Sequence, residues 1–401
     1  MLAEAKDLSE LMVDLAYAAL YFGDPGMAEE VVDLEAQMSD LVQDMRAVCI
    51  MAVRRPRDAE GMSSVLQVIS AIERIANDAV DIARIVTHQL GIPAELVADL
   101  SDAEEVSHRI VVRDGSHMAH HPLAALELPV ATGMRVMAVR RERTWITDVD
   151  GDLILVPGDV LFLRGSPAGI TRLHELAAAP LWTPPQPPED PWLSDLDRAV
   201  DVLVEMKNLS EVAVGLAYST LVLADRGLAA EVRHLEARLD EMNDRLELWV
   251  LRAAAQAVDP SSLRGLLHLS QAAEDLGDQA RQMVWLIEQG EDVHPILEIA
   301  LGDSDEVVVQ IPVAPGSPAD GSSLADLELN IEPGFHVLAI RRSGTYLYRP
   351  RGTTVLRADD AIIASGPDEG RSSLAERLGW QLVVDEESSE VALVPQDDRV
   401  A

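Results

Sequence analysis

Apolar residues recur at helical spacing through the first quarter of the chain. They form three stripes, which are interrupted at Pro25-Gly26 and again at Pro56. The middle stripe alternates steps of four and three residues, which is the spacing of a seam between packed helices. It consists of Leu34, Met38, Leu41, Met45 and Val48. Three long amphipathic helices with short breaks predict an antiparallel helical bundle.

The stretch that follows changes to the short apolar runs of β-strands, with Gly and Pro between them. A short helical stretch over 170–178 closes this segment. The predicted strands are Arg109–Val112, Arg135–Val139, Thr144–Val149 and Val160–Leu163. Strands interleaved with helical sequence predict a small α+β domain.

The whole pattern then returns at a constant offset of 201 residues. Lys6-Asp7-Leu8-Ser9-Glu10 corresponds to Lys207-Asn208-Leu209-Ser210-Glu211, and Gly133 corresponds to Gly334. A repeat with almost no length drift indicates that each half is a complete folded unit. The predicted fold class is therefore α+β multidomain, with two repeats that each contain a three-helix antiparallel bundle followed by a small α+β domain.

Composition places the boundaries between these units. A proline cluster separates the two halves and favours a semi-rigid polyproline II spacer, whereas the acidic end of the chain favours disorder. The predicted units are helical bundles over 1–98 and 193–298, α+β domains over 104–179 and 304–383, a linker over 180–192 and an acidic tail over 384–401.

The charge of the chain is strongly one-sided. Its formal net charge is −37, and Lys6 and Lys207 are its only lysines. This composition is typical of proteins from halophilic archaea, because the Debye length falls to about 3 Å in molar salt and carboxylates can then crowd a surface. The alternative is a general acidic bias. Either reading argues against binding to a nucleic acid polymer, which needs a basic surface.

Catalytic and targeting signals are not visible in the sequence. Cys49, the single cysteine, lies in an apolar helical stretch and excludes an intramolecular disulfide framework. We find no signal peptide, no apolar run long enough to span a membrane, and no Ser-His-Asp order, H-E-x-x-H motif or P-loop. The sequence predicts a cytoplasmic protein that is not an enzyme and that reaches a membrane only through a partner.

The helical segments resemble the PhoU family. The resemblance rests on Leu34-Glu35-Ala36, on 72–77, on 235–240 and on 273–278, where the family places E-x-x-x-D pairs on facing helices. Glu236 and Asp240 share one helix face, as do Glu274 and Asp278, so four carboxylates could hold a hard divalent ion or an iron cluster if the faces meet. PhoU relatives can bind metal in this way.

The first repeat offers a weaker version of this predicted metal site. Glu35 is followed four residues on by Ser39, and Glu73 by Asn77. Fewer charged ligands predict lower affinity. The alternative interpretation is chance, since the chain has 69 acidic residues.

The α+β segments resemble the TrkA-C domain, also called RCK-C, of ion-transport regulators. The matching motifs in the first repeat are 121–128, 133–141 and 155–161; those in the second are 321–329, 334–342 and 356–362. Regulators of this kind usually carry a nucleotide-binding domain before TrkA-C. Here no G-x-G-x-x-G motif is present, so control by NAD or ATP is not implied.

Relatives of TrkA-C can bind cyclic di-AMP in a pocket at a domain interface. The resemblance implies phosphate-binding arginines at the end of one strand, with an apolar floor beside them. The arginines are Arg140, Arg141, Arg341 and Arg342, and the floor residues are Val136, Met137, Val337 and Leu338. Arginine suits phosphate and stacked bases because its guanidinium is a planar fork. The alternative is that these arginines are a solvated surface pair or form salt bridges with the abundant carboxylates. His336 could add a contact to the ligand, but a packing role is favoured.

A local histidine cluster, His117, His120 and His121, has a spacing that could bind zinc or nickel. The second repeat has Pro318, Gly321 and Ser322 at these positions, so the repeat does not support a shared site.

The favoured function is a cytosolic regulatory subunit that senses a small nucleotide and controls a membrane transporter for potassium or another cation. The TrkA-C-like domains would pair either inside one chain, as a pseudo-dimer, or in a homodimer. One alternative is a phosphate-signalling adaptor of the PhoU type. Another is a metal-binding protein that uses the helical carboxylate pairs.

Overall fold

The computed structural model describes residues 1–93, 96, 99–100, 103, 105–182, 195–255, 257, 259–290, 294–302, 304, 306–384 and 391–395. Most of the predicted linker and of the predicted acidic tail lies outside these residues. None of the helices described has a stretch long and apolar enough to cross a lipid bilayer.

Each repeat begins with three long helices. The helices of the first repeat are α1 Leu2–Phe22, α2 Pro25–Ala52 and α3 Pro56–Thr87. Those of the second are α6 Asp195–Leu223, α7 Arg226–Ala254 and α8 Arg264–Gln289. The breaks follow the predicted positions. Asp24 accepts hydrogen bonds from the Gly26 and Met27 amides at the start of α2, and Asp225 caps α7 in the same way.

A four-stranded antiparallel sheet follows each bundle, in the order β1-β4-β2-β3 and again β5-β8-β6-β7. The first sheet contains β1 Val106–Val111, β2 Met134–Arg141, β3 Thr144–Ile146 and β4 Val160–Gly165, with short helices α4 Leu128–Thr132 and α5 Ile170–Leu176. The second contains β5 Glu306–Pro312, β6 His336–Arg342, β7 Thr345–Tyr348 and β8 Ala361–Pro367, with α9 Ile296–Leu301, α10 Leu324–Leu327 and α11 Arg371–Arg377. The predicted fold class is confirmed.

A hairpin at the end of the chain differs from the predicted tail. Strand β9 Trp380–Val384 pairs with β10 Val391–Pro395. The prediction gave more weight to the acidic composition of this region than to its short apolar run. Leu393 packs against the core of the second α+β domain, which is the physical reason for the strand.

A β-bulge at the same place in each sheet puts two consecutive residues of the central strand against the helices. The register shifts between Val136 and Ala138 in β2, and between Val337 and Ala339 in β6. Met137 and Ala138 both belong to the helical core, whereas Val136 belongs to the core of its own α+β domain. One face of each sheet thus packs on its own domain and the other on helices.

The two repeats pack against each other about an approximate twofold axis. Helix α3 lies against α8, its counterpart, and both bundles share one continuous hydrophobic core. The α+β domains also meet reciprocally. A Cβ on Gly133 would lie 2.1 Å from the carbonyl oxygen of Asn330, and one on Gly334 would lie 2.3 Å from that of Pro129. Pro129 and Asn330 are equivalent positions, so this is an isologous contact made within one chain.

Candidate functional sites

Arg141 and Arg342 are held inside their own domains. Arg141 donates from Nε and Nη2 to the two carboxylate oxygens of Asp159, both at 2.8 Å, and Arg342 binds Asp360 in the same way at 2.8 and 2.6 Å. The Asp159 side chain is fully buried. Burial acts to raise the pKa of Asp360, but hydrogen bonds from Arg342 and the Arg357 amide hold it below its usual range. A phosphate at either arginine would have to replace a bidentate partner.

Arg140 instead joins its sheet to the helical bundle. Its Nη1 donates to Oδ2 of Asp24, the N-cap of α2, at 3.1 Å. The guanidinium lies over the rings of Trp145 and Phe162, 5.5 Å from each centroid. In the second repeat the hydroxyl of Tyr346 donates to Asp225, the N-cap of α7, and so makes the corresponding contact between sheet and bundle. Arg341 is exposed and lies beside Tyr346.

The residues predicted as an apolar floor do not share one surface. Met137 and Leu338, each 5% exposed, belong to the helical core. Val136 and Val337 contact the cores of the two α+β domains instead. Consecutive residues of a strand point to opposite faces of its sheet, which separates the two pairs.

Three of the predicted metal ligands come together on the second bundle. One ligand atom from each of Glu236, Asp240 and Asp278 lies within 4.8 Å of the others. Burial, followed by Asp278, Asp275 and Asp240, raises the pKa of Glu274 to about 7, so the fourth carboxylate faces the same group. Arg281 already occupies part of this cluster, with its Nη1 2.5 Å from Oε1 of Glu236. The donor set of carboxylate oxygens fits a hard divalent cation.

The first bundle is arranged differently at the equivalent place. Arg46 donates to Oε2 of Glu73 at 2.6 Å, and Glu35 is half-buried. Among the residues that the structure describes, these side chains do not form a group of metal ligands. The histidine cluster does not form one either within that part of the chain, and His117 stacks on His121 with ring centroids 5.6 Å apart.

A charged cavity of about 100 Å³ lies where both bundles meet both sheets. We call it the junction cavity. Part of its lining is apolar and includes Val13, Ile75, Val214 and Leu276. The lining also contains five carboxylates together with one arginine and one histidine: Glu10, Asp14, Glu105, Glu211, Glu306, Arg164 and His336. Sequence reasoning assigned no function to these residues except His336, whose packing role was predicted.

The two lysines of the chain hold equivalent places beside this cavity. Lys6 binds Glu10 at 2.7 Å and the carbonyl of Glu306 at 3.3 Å, so it connects α1 to the sheet of the second repeat. Lys207 binds Glu211 at 2.8 Å and the carbonyl of Glu105 at 3.4 Å. Each ammonium also lies 5.2 Å from the centroid of a tyrosine ring of the other repeat. The signal in the sequence was the isolation of these two lysines at repeat-equivalent positions.

Arg164 breaks this symmetry. It projects from β4 and forms ion pairs with Asp14 and Glu105, and its Nη2 lies 3.7 Å from Oε2 of Glu211. Burial acts to raise the pKa of Glu211, but Lys207 and Arg164 outweigh it and keep that pKa below its usual value. At the equivalent Glu10, burial outweighs Lys6 and raises the pKa to about 7.

Comparison with known proteins matches both parts of each repeat. The PhoU domain family matches residues 2–86 and 203–286, and the TrkA-C domain family matches residues 108–178 and 308–379. The phosphate-specific transport system accessory protein PhoU homolog of Pseudomonas putida is 29% identical over 119 residues, which is 27% of this chain. The matched part spans 46% of that relative's length.

Two solved structures resemble parts of the fold. The crystal structure of PhoU from Pseudomonas aeruginosa is 15% identical with a TM-score of 0.39, covering 71% of this chain and 91% of that one. The GsuK channel bound to NAD is 14% identical with a TM-score of 0.19, covering 78% of this chain and 65% of that one. Both structural likenesses are weak.

Proposed function

Because the chain contains two PhoU domains and two TrkA-C domains in tandem, we propose that it is a regulatory subunit that senses a small ligand and controls a membrane cation transporter. It acts in the cytoplasm and reaches the membrane through that transporter. Both families are regulatory domains rather than enzymes.

The observation that carries this proposal is the contact between each sheet and the helices. Met137 and Leu338 are buried in the helical core, and Arg140 binds the N-cap Asp24 of α2. A ligand that engages the end of β2 would therefore change how the sheet packs on the bundle. Such a switch needs only a modest difference in affinity between two arrangements, since typical coupling energies are about 1–3 kcal/mol.

The proposed ligand is cyclic di-AMP, on the strength of the TrkA-C resemblance. Arg341 is exposed, and Arg140 would meet the ligand by exchanging its ion pair with Asp24, whereas Arg141 and Arg342 are held by two hydrogen bonds each to buried aspartates. A ligand that binds only the folded chain stabilises it by a free energy of RT ln(1 + [L]/Kd). We therefore expect cyclic di-AMP to raise the melting temperature of the full chain in high salt. Arg140→Ala combined with Arg341→Ala should remove that rise. A wild-type melting curve unchanged by cyclic di-AMP contradicts the choice of ligand.

Capture of the partner tests the regulatory role itself. The tagged full chain would be cross-linked in cells and recovered from the membrane fraction, and its neighbours identified by mass spectrometry. The proposal expects a cation transporter. Recovery of a phosphate transporter or a sensor kinase would contradict it and favour a phosphate-signalling adaptor. The Pseudomonas putida relative is named as an accessory protein of a phosphate-specific transport system.

Metal binding is a second candidate function, and the carboxylate cluster of the second bundle favours it. Glu236, Asp240 and Asp278 offer a hard divalent cation three oxygen ligands, and Glu274 faces the same group. Metal analysis of the purified chain should find an ion that is lost in Glu236→Gln with Glu274→Gln. Because the first bundle has Ser39 and Asn77 where the second has Asp240 and Asp278, the matched control Glu73→Gln should leave the metal content unchanged.

A further inference from the structure

The hairpin between α2 and α3 ends in a group of residues that lie outside the hydrophobic core. Cys49 of α2 is buried, but every residue over 50–55 is exposed. Ile50 is 70% exposed and Met51 is 71% exposed. Single exposed apolar residues are common, whereas several at one place mark an interaction surface. We define the first tip as the exposed apolar residues of this hairpin and the two arginines that follow them: Val48, Ile50, Met51, Val53, Arg54 and Arg55.

The first tip lies in a basic segment of an acidic chain. Residues 45–57 contain four arginines and no acidic residue, although the whole chain has 69 acidic residues against 32 lysines and arginines. Arg46 is bound to Glu73 in the bundle, whereas Arg54 and Arg55 are exposed next to the apolar side chains. Apolar and positively charged side chains are therefore exposed together. This combination is complementary to an anionic partner that also accepts apolar groups.

The equivalent hairpin of the second repeat has the apolar residues without the charge. Leu251 corresponds to Ile50 and is 63% exposed, and Leu248, three residues before it, is also exposed. Residues 246–258, which correspond to 45–57, contain one arginine and one glutamate. We call Leu248 and Leu251 the second tip.

The two tips lie at opposite ends of α3. Gly91, which follows α3, contacts Ser262 in the connection between α7 and α8, since a Cβ on Gly91 would lie 2.6 Å from the Cα of Ser262. The 32 residues of α3 separate this contact from the first tip, which is about 48 Å at 1.5 Å per residue. A partner at one end of the bundles therefore meets only one tip.

A lipid bilayer suits the first tip better than a protein does. Each partner in a stable protein complex buries about 800 Å², which is more than a few side chains at the end of a hairpin can cover. Apolar side chains beside arginines match the boundary between acyl chains and anionic headgroups. The acidic remainder of the chain does not prevent this contact in molar salt, because the Debye length of about 3 Å screens charges that do not touch the lipid.

We propose that the first tip binds the surface of an anionic membrane, with Ile50 and Met51 inserted among the lipids and Arg54 and Arg55 against the lipid phosphates. This goes beyond the proposed function, in which the transporter alone connects the chain to the membrane. The contact requires lipid only. Its failure in protein-free vesicles would leave the regulatory role intact, and capture of the wrong transporter would leave the lipid contact intact.

Co-sedimentation of the purified full chain with lipid vesicles tests this surface. Vesicles of phosphatidylcholine alone would be compared, at constant molar salt, with vesicles that also contain one third phosphatidylglycerol. The wild type should bind the anionic vesicles much more strongly than the neutral ones. Ile50→Gln with Met51→Gln should weaken that binding about tenfold or more, because these side chains lose their apolar contact with the bilayer. No binding of the wild type to the anionic vesicles, or equal binding to both kinds, would overturn the proposal.

The second tip supplies the matched control. Leu248→Gln with Leu251→Gln should leave vesicle binding unchanged, although it removes the same kind of exposed side chain. Losses as large as those at the first tip would contradict the assignment.

An environment-sensitive fluorophore locates the contact without relying on affinity. Attached to Met51→Cys in a Cys49→Ser background, its emission should move to shorter wavelength when anionic vesicles are added. Attached to Leu251→Cys in the same background, its emission should not move. Equal shifts at the two positions, or none at Met51→Cys, would refute insertion of the first tip. A shift that needs added membrane protein would assign the tip to a protein partner and refute the lipid contact.

Discussion

At the scale of single residues, the arginines that end the central strands show why a side chain's role depends on its partner. Arg141 and Arg342 have the residue type of a phosphate ligand, yet each holds an aspartate that lies 18 residues further along the chain. The sequence contains both residues but does not reveal the hairpin and loop that bring them together. The alternative of salt bridges to carboxylates describes the contacts that the structure contains.

Removal of the buried partner should therefore cost stability. We expect Asp159→Ala to lower the free energy of unfolding by about 3 kcal/mol, since it leaves Arg141 and the Val156 amide without their acceptor. Urea denaturation in constant salt measures this. Asp152→Ala, at an exposed position of the same loop, serves as the control and should change stability by less than about 0.5 kcal/mol. Equal effects of the two variants would show that the pair is not structural.

The equivalent residues Glu10 and Glu211 should respond to pH in opposite directions. Glu10 has its pKa raised to about 7 in the folded state, so the folded state binds the extra proton and stability falls as pH rises from about 5 to 7. Glu10→Gln should remove this loss, with a slope of at most about 1.4 kcal/mol per pH unit. Glu211 has a lowered pKa, so its contribution is present at neutral pH and is lost on acidification through that pKa.

The free energies of unfolding of the wild type and of both variants, measured between pH 5 and 8, test this difference between Glu10 and Glu211. Both variants take a carboxylate from a buried lysine, but Glu211→Gln should destabilise the protein more than Glu10→Gln at pH 7, because the pKa of Glu211 is lowered whereas that of Glu10 is about 7. Parallel pH profiles for the two variants would mean that Arg164 does not distinguish the two halves of the junction cavity.

At the scale of elements, the periodicity of apolar residues predicted the bundle helices and the sheet strands, and both family resemblances are confirmed by the domain matches. The ends of the strands differ from the predicted ends by a few residues. The strand predicted as Arg109–Val112, for example, is Val106–Val111 in the structure. The bulges were not predictable, because a bulge depends on pairing with another strand rather than on local sequence. They are the reason that the consecutive residues Met137 and Ala138 both face the helical core.

The N-cap aspartates connect these elements and give a test at this scale. Asp24→Ala should destabilise the chain by about 1–2 kcal/mol, because it removes both the cap of α2 and the partner of Arg140. Asp24→Asn should keep the cap and lose only the ion pair, and therefore cost less. Chemical denaturation compares the two variants. If Asn proves as harmful as Ala, the contact between sheet and bundle contributes more than the cap.

At the scale of the whole molecule, the axis between the repeats creates features that neither repeat has alone. Both bundles share one hydrophobic core, and the junction cavity is lined by both repeats. The duplication was readable in the sequence, but it left pairing within a chain and pairing between chains equally open. The structure makes the pairing within one chain, as the contacts of Gly133 and Gly334 show.

The net charge also acts on the whole molecule. With a formal charge of −37, the folded chain repels itself at low ionic strength, and salt screens that repulsion. We expect the melting temperature to rise steeply with sodium chloride up to molar concentration. Tetramethylammonium chloride at equal ionic strength should give a similar rise if screening is the cause. A melting temperature independent of salt would contradict this reading of the composition.

A designed cross-link tests the internal pairing most directly. Asn330 Nδ2 lies 2.9 Å from Ser166 Oγ across the axis, so the thiols of Ser166→Cys and Asn330→Cys, in a Cys49→Ser background, should lie within reach of one short bis-maleimide cross-linker. Treatment of the dilute full chain should give a cross-linked species of monomer mass, 43.5 kDa, at every protein concentration. A dimer that grows with concentration, or no cross-link, would contradict pairing of the two repeats within one chain.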